Sequence, residues 1–263
     1  TMSLRSLQQA RRAGTRVPML TCYDATYAAL LAEAGIDHLL VGDSAANVIH
    51  GHRTTLPIDQ PRLTEMANAV RRGHPDAFVM LDIAFGTQAD AAFTALKSCE
   101  CDAIKIEAAA DHLPTVQTFV NHGVGVVAHL GLTPQTVMRD GGYRYVGRTP
   151  AEIESLVADA RNCADAGVVA LLLEATTAAT TDAVLSAVDI PVIGCGAGPG
   201  CTSYVVVLHD LLGLTTTPPK FVPRFDVDAG DVRSATLATL RRWRAEVESG
   251  AYPSAEHIYG EAS

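Results

Sequence analysis

Short, almost unbroken apolar runs recur along the chain, each followed by a stretch in which apolar residues return every three or four positions. Val17 to Thr21, His38 to Val41, Phe78 to Asp82, Ala103 to Glu107, Gly125 to His129, Val169 to Glu174 and Ile190 to Gly194 read as strands, with a weaker eighth at Leu214 to Thr217. Their apolar residues do not alternate with polar ones, which is the pattern of parallel strands covered on both faces. Helical periodicity fills Tyr27 to Ala34, Leu63 to Arg72, Ala91 to Lys97, Leu113 to Asn121 and Ala151 to Ala166. Gly35, Gly73, Gly123 and Gly167 close several of these stretches, where a left-handed residue is expected to end a helix. Strand and helix alternating about eight times leave an open doubly wound sheet or a closed (β/α)8 barrel.

Two features favour the barrel. The glycine-rich Gly194-Cys-Gly-Ala-Gly198 segment lies late in the chain and lacks the GxGxxG offsets of a dinucleotide-binding sheet. Strand after strand also ends in a reactive side chain: Asp43-Ser44, Asp82, Lys105 with Glu107, His129, and Glu174. In a (β/α)8 barrel these ends converge on one mouth, where the active site sits. The expected architecture is therefore one barrel domain over residues 1–263, with an N-terminal helix and a helical extension after Phe225.

Length and charge sharpen this picture. The 263 residues suit one such barrel, and 48% hydrophobic against 19% charged residues is enough apolar material for its core. Twenty basic side chains against 29 acidic ones, with only short clusters such as Arg11-Arg12 and Arg241-Arg242, argue against a nucleic-acid partner. No apolar run approaches the ~18 to 20 residues that span a bilayer, and the first twenty residues lack a signal core, so a cytoplasmic location is expected. Cys22, Cys99, Cys101, Cys163, Cys195 and Cys201 form no CxxC pair, and Cys99-Glu-Cys101 has the wrong spacing for a zinc knuckle; buried reduced thiols are expected.

The rim residues suggest a reaction class. Asp43, Asp82 and Glu107 end neighbouring strands, and three such carboxylates would raise one another's pKa unless a cation lay among them. Their hard oxygens suit Mg2+, which keeps positions open for water and substrate. Lys105 is one of three lysines against seventeen arginines, and its ammonium on an apolar strand could pair with a substrate carboxylate or an enolate oxygen. His129 is either an acid or base or a hydrogen-bonded structural residue. Glu174 ends an otherwise apolar strand, where partial burial would lift its pKa toward that of a general base. Together these parts fit proton removal beside the ketone of a 2-oxo acid, giving a cation-stabilised enolate that needs an electrophile.

The electrophile is supplied only by a resemblance. Thr21-Cys-Tyr-Asp24, Leu40-Val-Gly-Asp-Ser44, Gly51-His52 with Thr55-Leu-Pro57, Lys105-Ile-Glu107, and His129-Leu-Gly-Leu-Thr-Pro-Gln135 followed by Gly141-Gly-Tyr143 resemble the ketopantoate hydroxymethyltransferase family. So do Leu173-Glu174, Pro191-Val-Ile-Gly194 with Gly196-Ala-Gly198, His209-Asp210, Pro219-Lys-Phe221 and Val247-Glu-Ser-Gly-Ala-Tyr-Pro253. The resemblance implies a (β/α)8 barrel assembled into a homodecamer, using Mg2+ and 5,10-methylenetetrahydrofolate to hydroxymethylate C3 of 3-methyl-2-oxobutanoate. By the same resemblance, Asp43, Asp82 and Glu107 surround the metal. Ser44 and Lys105 hold the oxo acid with Asp43 and Asp82 beside it, Glu174 takes the proton, and His129 supports it.

The chain departs from the family pattern at Ala45-Ala-Asn47, at Ala84, at Ala108-Ala109 and at Pro199-Gly-Cys-Thr-Ser-Tyr204. These positions are expected to surround the substrate and folate loops, which leaves open transfer to a different 2-oxo acid. A non-catalytic paralogue is the remaining alternative. A lyase on a similar barrel is disfavoured, since no Lys-Cys-Gly-His-like loop is present.

Overall fold

The computed structural model describes residues 4–108, 112–225 and 232–259. Eight parallel strands close into a barrel in chain order: β1 (Val17–Thr21), β2 (His38–Val41), β3 (Phe78–Asp82), β4 (Ala103–Glu107), β5 (Val126–Gly131), β6 (Ala170–Glu174), β7 (Val192–Cys195) and β8 (Ser203–Val206), with β8 pairing back to β1. Around it run α1 (Leu4–Ala13), α2 (Ala25–Ala34), α3 (Ala45–Val48), α4 (Gln60–Gly73), α5 (Ala89–Ser98), α6 (Leu113–Asn121), α7 (Val137–Asp140), α8 (Pro150–Asp165), α9 (Ala178–Ala187), α10 (Leu208–Leu211) and α11 (Val232–Ser249). Seven strands stand where the apolar runs put them, within two residues. The expected N-terminal helix is α1, and the extension after Phe225 contains α11; residues 226–231 lie outside the described residues.

The eighth strand is a correction. It is Ser203–Val206, and Leu214, expected to open it, is 60% exposed in the segment that follows α10. The alternation of strand and helix breaks at this point, because only residues 196–202 separate β7 from β8 and no helix forms between them. A reading that requires a helix between successive strands therefore passes over β8. Gly73 is a second correction. It is the last residue of α4 and its φ is not positive, unlike Gly35, Gly123 and Gly167 at +74°, +80° and +90°. A Cβ at Gly73 would lie 2.2 Å from the carbonyl oxygen of Ala25, so this glycine permits close approach to α2 rather than a left-handed turn.

Every strand is buried on both faces, which explains its unbroken apolar character. Leu39, Val41, Val79, Leu81, Ile104, Ile106, Leu171 and Leu173 point outward into the core beneath the helices. Met19, Leu40, Phe78, Met80, Val127, Leu172, Ile193 and Val205 point inward and fill the barrel. Leu7 of α1 joins this inner core, and Ser6 Oγ lies 2.7 Å from Nε2 of His38, so α1 plugs the N-terminal end. Burial holds the His38 pKa down at about 4, so it sits there as a neutral hydrogen-bonding residue. Four helices start at side-chain caps: Asp24 accepts from the Tyr27 N–H, Asp59 from Arg62, Thr149 from Glu152 and Thr177 from Thr180.

On the C-terminal side, Trp243 of α11 packs edge-on against Tyr252, which packs in turn on Tyr204 of β8. All six cysteines are free. Cys22, Cys163 and Cys201 are buried as expected, while Cys99, Cys101 and Cys195 are only half-buried. Among the described residues no helix is long and apolar enough to cross a membrane.

Candidate active site

With the N-terminal end plugged, the opposite end is left for chemistry. The alternation that sends Phe78 and Met80 inward also sends Asp82 inward at the mouth, and the parallel register repeats this around the barrel. Asp82 pairs in register with Lys105, Glu107 with His129, Gly131 with Glu174, and Glu174 with Cys195. Asp43 and Ser44 follow β2 at the same end, and α3 begins immediately after Ser44.

These side chains form a continuous chain of contacts. Lys105 Nζ lies 2.9 Å from Asp82 Oδ1, in a pair whose side chains are 7% and 2% exposed. It also lies 3.3 Å from Nδ1 of His129. An ammonium can only donate, so Nδ1 must accept and the proton of the neutral ring resides on Nε2. Nε2 is 3.2 Å from Oε2 of Glu174. Asp82 Oδ2 accepts the N–H of Asp43 at 2.9 Å, while Gln60 clamps the end of β3 by donating to the Asp82 carbonyl and accepting from the Ala84 N–H. Ser44 Oγ lies 2.8 Å from the Tyr23 hydroxyl.

Burial and charge set the protonation states. Burial pushes the Asp82 carboxyl up to about 7, against the pull of Lys105 and with added repulsion from Asp43. Burial alone would lower the Lys105 pKa, but Asp82 and Asp43 outweigh it and hold the ammonium charged. His129 is held well below its usual value by burial and then by Lys105, so its contact with Glu174 involves a neutral ring. Burial lifts Glu174 to about 8; its side chain keeps 22% exposure, all that a base needs to meet a substrate. Glu107 also rises to about 8 through burial. Its Oε1 accepts the Gln135 N–H, while its buried Oε2 has no hydrogen-bond partner.

A cavity of about 900 Å³ opens over these residues. Asp43, Ser44, Asp82, Lys105, His129 and Glu174 all line it, above a floor that includes Leu40, Leu172 and Val205. Glu107 stands behind this lining. The expected metal-binding trio is thus not drawn into a cage: among the described residues no three His, Cys, Asp or Glu side chains converge closely enough to hold a metal ion.

The departures from the family pattern fall mostly outside the cavity. Ala45, Ala46, Ala84, Ala108, Cys201 and Tyr204 are buried in the packing around the barrel, and of the described departures only Asn47 lines the cavity. Its Nδ2 donates to the His52 carbonyl at 2.9 Å. Ala109 lies outside the described residues.

Residues without an assigned role from sequence prove central. Gln135, Gln60 and Tyr23 hold the acids and Ser44, and Cys195 adjoins Glu174 on the cavity wall. Gln135 was visible only as the end of the His-Leu-Gly-Leu-Thr-Pro-Gln motif, and Gln60 carried no signal.

The backbone beside Glu174 is held in an unusual state. Ala175 has φ +48°, the left-handed region that non-glycine residues seldom adopt, fixed by an N–H bond to the Cys195 carbonyl and a bond received from Val146. Gly131 has φ +93°, and a Cβ there would lie 2.3 Å from the Glu174 carbonyl oxygen. Gly131→Ala is expected to cost about 1–3 kcal/mol and to displace the Glu174 strand end. Urea denaturation and turnover measured together check this, and wild-type values for both would remove Gly131 from any role in placing Glu174.

A sequence model of ketopantoate hydroxymethyltransferase matches residues 1–255. The chain belongs to the ketopantoate hydroxymethyltransferase family. It is accordingly an enzyme, a hydroxymethyltransferase. It is 38% identical to a 3-methyl-2-oxobutanoate hydroxymethyltransferase of Moorella thermoacetica, over 98% of this chain and 97% of that one. With the Desulfotalea psychrophila protein of the same name it shares 40% identity over 95% and 91%. Among solved structures, this hydroxymethyltransferase resembles oxaloacetate acetylhydrolase in complex with oxalate (TM-score 0.61, 13% identity, 94% and 97% covered). It also resembles phosphonopyruvate hydrolase (TM-score 0.60, 11% identity, 81% and 84% covered). At such identities these likenesses concern the barrel alone.

Proposed function

We propose that this enzyme, acting through one barrel domain, transfers a hydroxymethyl group from 5,10-methylenetetrahydrofolate to C3 of 3-methyl-2-oxobutanoate, giving ketopantoate. The observation that carries this reading is the pairing, in one cavity, of a carboxylate with a pKa near 8 and a permanently charged lysine, joined through a neutral histidine. One group can take a proton from carbon while the other stabilises the negative charge that develops on oxygen.

The donor set fits Mg2+. Asp43 and Asp82 present hard carboxylate oxygens to the cavity, Glu107 keeps an unpartnered buried oxygen behind them, and Mg2+ needs only one or two protein carboxylates beside water and substrate. Asp43 and Asp82 would hold the ion, with Glu107 adding negative charge; when bound, it would supply positive charge beside the oxo-acid oxygens. Ser44 and Lys105 then hold the oxo acid, with Asp43 and Asp82 beside it. Glu174 removes the C3 proton as the C–H electron pair shifts toward the ketone oxygen, where Lys105 meets the developing charge. Water first hydrolyses the methylene bridge: both C–N bonds break, the two nitrogens of the departing tetrahydrofolate take the two protons of water, and the carbon is released as formaldehyde. The C3 nucleophile then attacks the formaldehyde carbon, and the new oxygen takes back the proton held on Glu174 to become the hydroxyl. His129, its tautomer set by Lys105, supports Glu174 by the 3.2 Å approach of Nε2 to its carboxyl.

The acceptor assignment is favoured by the cavity itself, since only one described departure from the family pattern, Asn47, faces it. Deuterium exchange at C3, followed by NMR for a series of 2-oxo acids with and without MgCl2, tests metal, base and acceptor together. Fast Mg2+-dependent exchange of 3-methyl-2-oxobutanoate is expected. Preferential exchange of a bulkier or more polar oxo acid would transfer the proposal to another acceptor, and absence of exchange from every acid would leave a non-catalytic paralogue. The homodecameric assembly implied by the family resemblance and the cytoplasmic location expected from the sequence belong to the same proposal. Exposed Ile49, Phe85 and Met138 are consistent with surface covered in an oligomer.

A further inference from the structure

The chain between β5 and α8 passes over the cavity and is fastened at both ends. At its far end the Val146 N–H donates to the Ala175 carbonyl at 2.8 Å, and the Gly147 carbonyl accepts from the hydroxyls of Thr177 and Thr180. At its near end one residue makes the fastening. The backbone N–H of Gln135 donates to Glu107 Oε1 at 2.8 Å, and its side-chain Nε2 donates to Asp43 Oδ2 at 3.0 Å and to the Ile83 carbonyl at 3.0 Å. Both side-chain partners are acceptors, so the amide nitrogen must be the end that faces them. Between the fastenings the segment is exposed, with Met138 at 72% and Tyr143 at 50%.

We infer that Gln135 is a positioning residue that orients Asp43, which would hold the divalent cation, and Glu107, which would add negative charge behind it. The inference rests on the Mg2+ reading above. Gln135 occupies one oxygen of each carboxylate, which limits how the acids can rotate and directs their remaining oxygens. In Glu107 that remaining oxygen is the buried one without a partner. Carboxylates that ligate metals are commonly held by such hydrogen bonds, and loss of the supporting partner weakens metal binding by roughly 10- to 100-fold. The same bonds tie the segment over the cavity to the acids beneath it, so cation binding and the placement of Tyr143 at the rim are coupled through one side chain.

Gln135→Ala removes the bonds to Asp43 and Ile83 while leaving the backbone donor to Glu107. Gln135→Met removes the same bonds but retains the length and bulk of the side chain. Isothermal titration of the substrate-free protein with MgCl2 is expected to show affinity weakened roughly 10- to 100-fold in both variants. In turnover assays the Mg2+ activation constant should rise in parallel, with kcat largely recovered at saturating Mg2+. A residue that only fills space predicts that Met behaves as wild type, and wild-type Mg2+ affinity in either folded variant overturns the inference. If the wild-type protein binds no Mg2+, the cation reading itself fails, and this inference with it.

Discussion

Glu174→Gln is expected to slow exchange of the C3 proton of the oxo acid by roughly 100-fold or more while leaving Mg2+ and oxo-acid binding in place. The amide keeps the shape of the carboxylate and its approach to His129 Nε2 at 3.2 Å, but it has no basic oxygen at working pH. The wild-type exchange rate should rise with pH and level off above about 8, because burial holds Glu174 protonated below that value and only the ionised form accepts a proton. The variant should lose this rise. Stability should change in the opposite sense. Between about 4.5 and about 8 the unfolded chain has given up a proton that the folded chain retains on Glu174, so this residue makes stability fall as pH increases through that window. Gln carries no such dependence. The melting temperature of the variant relative to wild type should therefore climb from pH 4.5 to 8. Retention of normal exchange in the folded variant would remove Glu174 as the base.

Lys105→Met is expected to have the largest effect on stability. Removing the ammonium leaves Asp82 buried without its countercharge, and breaking a buried pair in this way costs about 3–5 kcal/mol. The loss should depend on pH in a defined direction. Asp82 already titrates near 7 with the lysine present, so at lower pH it takes up a proton and no longer needs the ammonium. Losing the ammonium pushes the Asp82 carboxyl higher still, so urea denaturation should show a small penalty near pH 5 that grows as pH rises through 8 and beyond. Activity should be abolished at every pH, since His129 loses the donor that sets its tautomer as well as the charge opposite Glu174. Adding Asp82→Asn should recover part of the lost stability without activity, because two neutral side chains replace one stranded charge. An equal loss at pH 5 and pH 8 would contradict the assigned protonation of Asp82. Arg at position 105 should not substitute for Lys, because a planar guanidinium cannot meet Asp82 and His129 from the same enclosed point.

Both expected results depend on contacts with very different visibility in the chain. Asp82, Lys105, Glu107 and Glu174 could be singled out because each interrupts or ends an apolar strand, and a closed barrel brings such ends together wherever they lie in sequence. Gln135 could not be weighted in this way. It acts from a loop, and its partners Asp43 and Glu107 are 92 and 28 residues away. Gln60 likewise looks like an ordinary residue at the start of α4, yet it holds the end of β3 through both ends of its amide. The strand at Ser203–Val206 was hidden for another reason: its pairing with β1 is long-range, and the short link from β7 breaks the local rhythm.

The sequence alone determined the barrel and which polar side chains end its strands, because side-chain alternation and the burial of both strand faces are local consequences of residue order. Tertiary structure decided which of those groups face the cavity and what charge each carries. It drew Asp43, Asp82, Lys105, His129 and Glu174 around one space and left Glu107 behind it. It also moved nearly all the family departures into packing positions, with Asn47 the one that faces the cavity among those described. The physical reason is that pKa values and ligand geometry depend on distances and desolvation between strands. Those are set only when β8 meets β1 and the barrel closes.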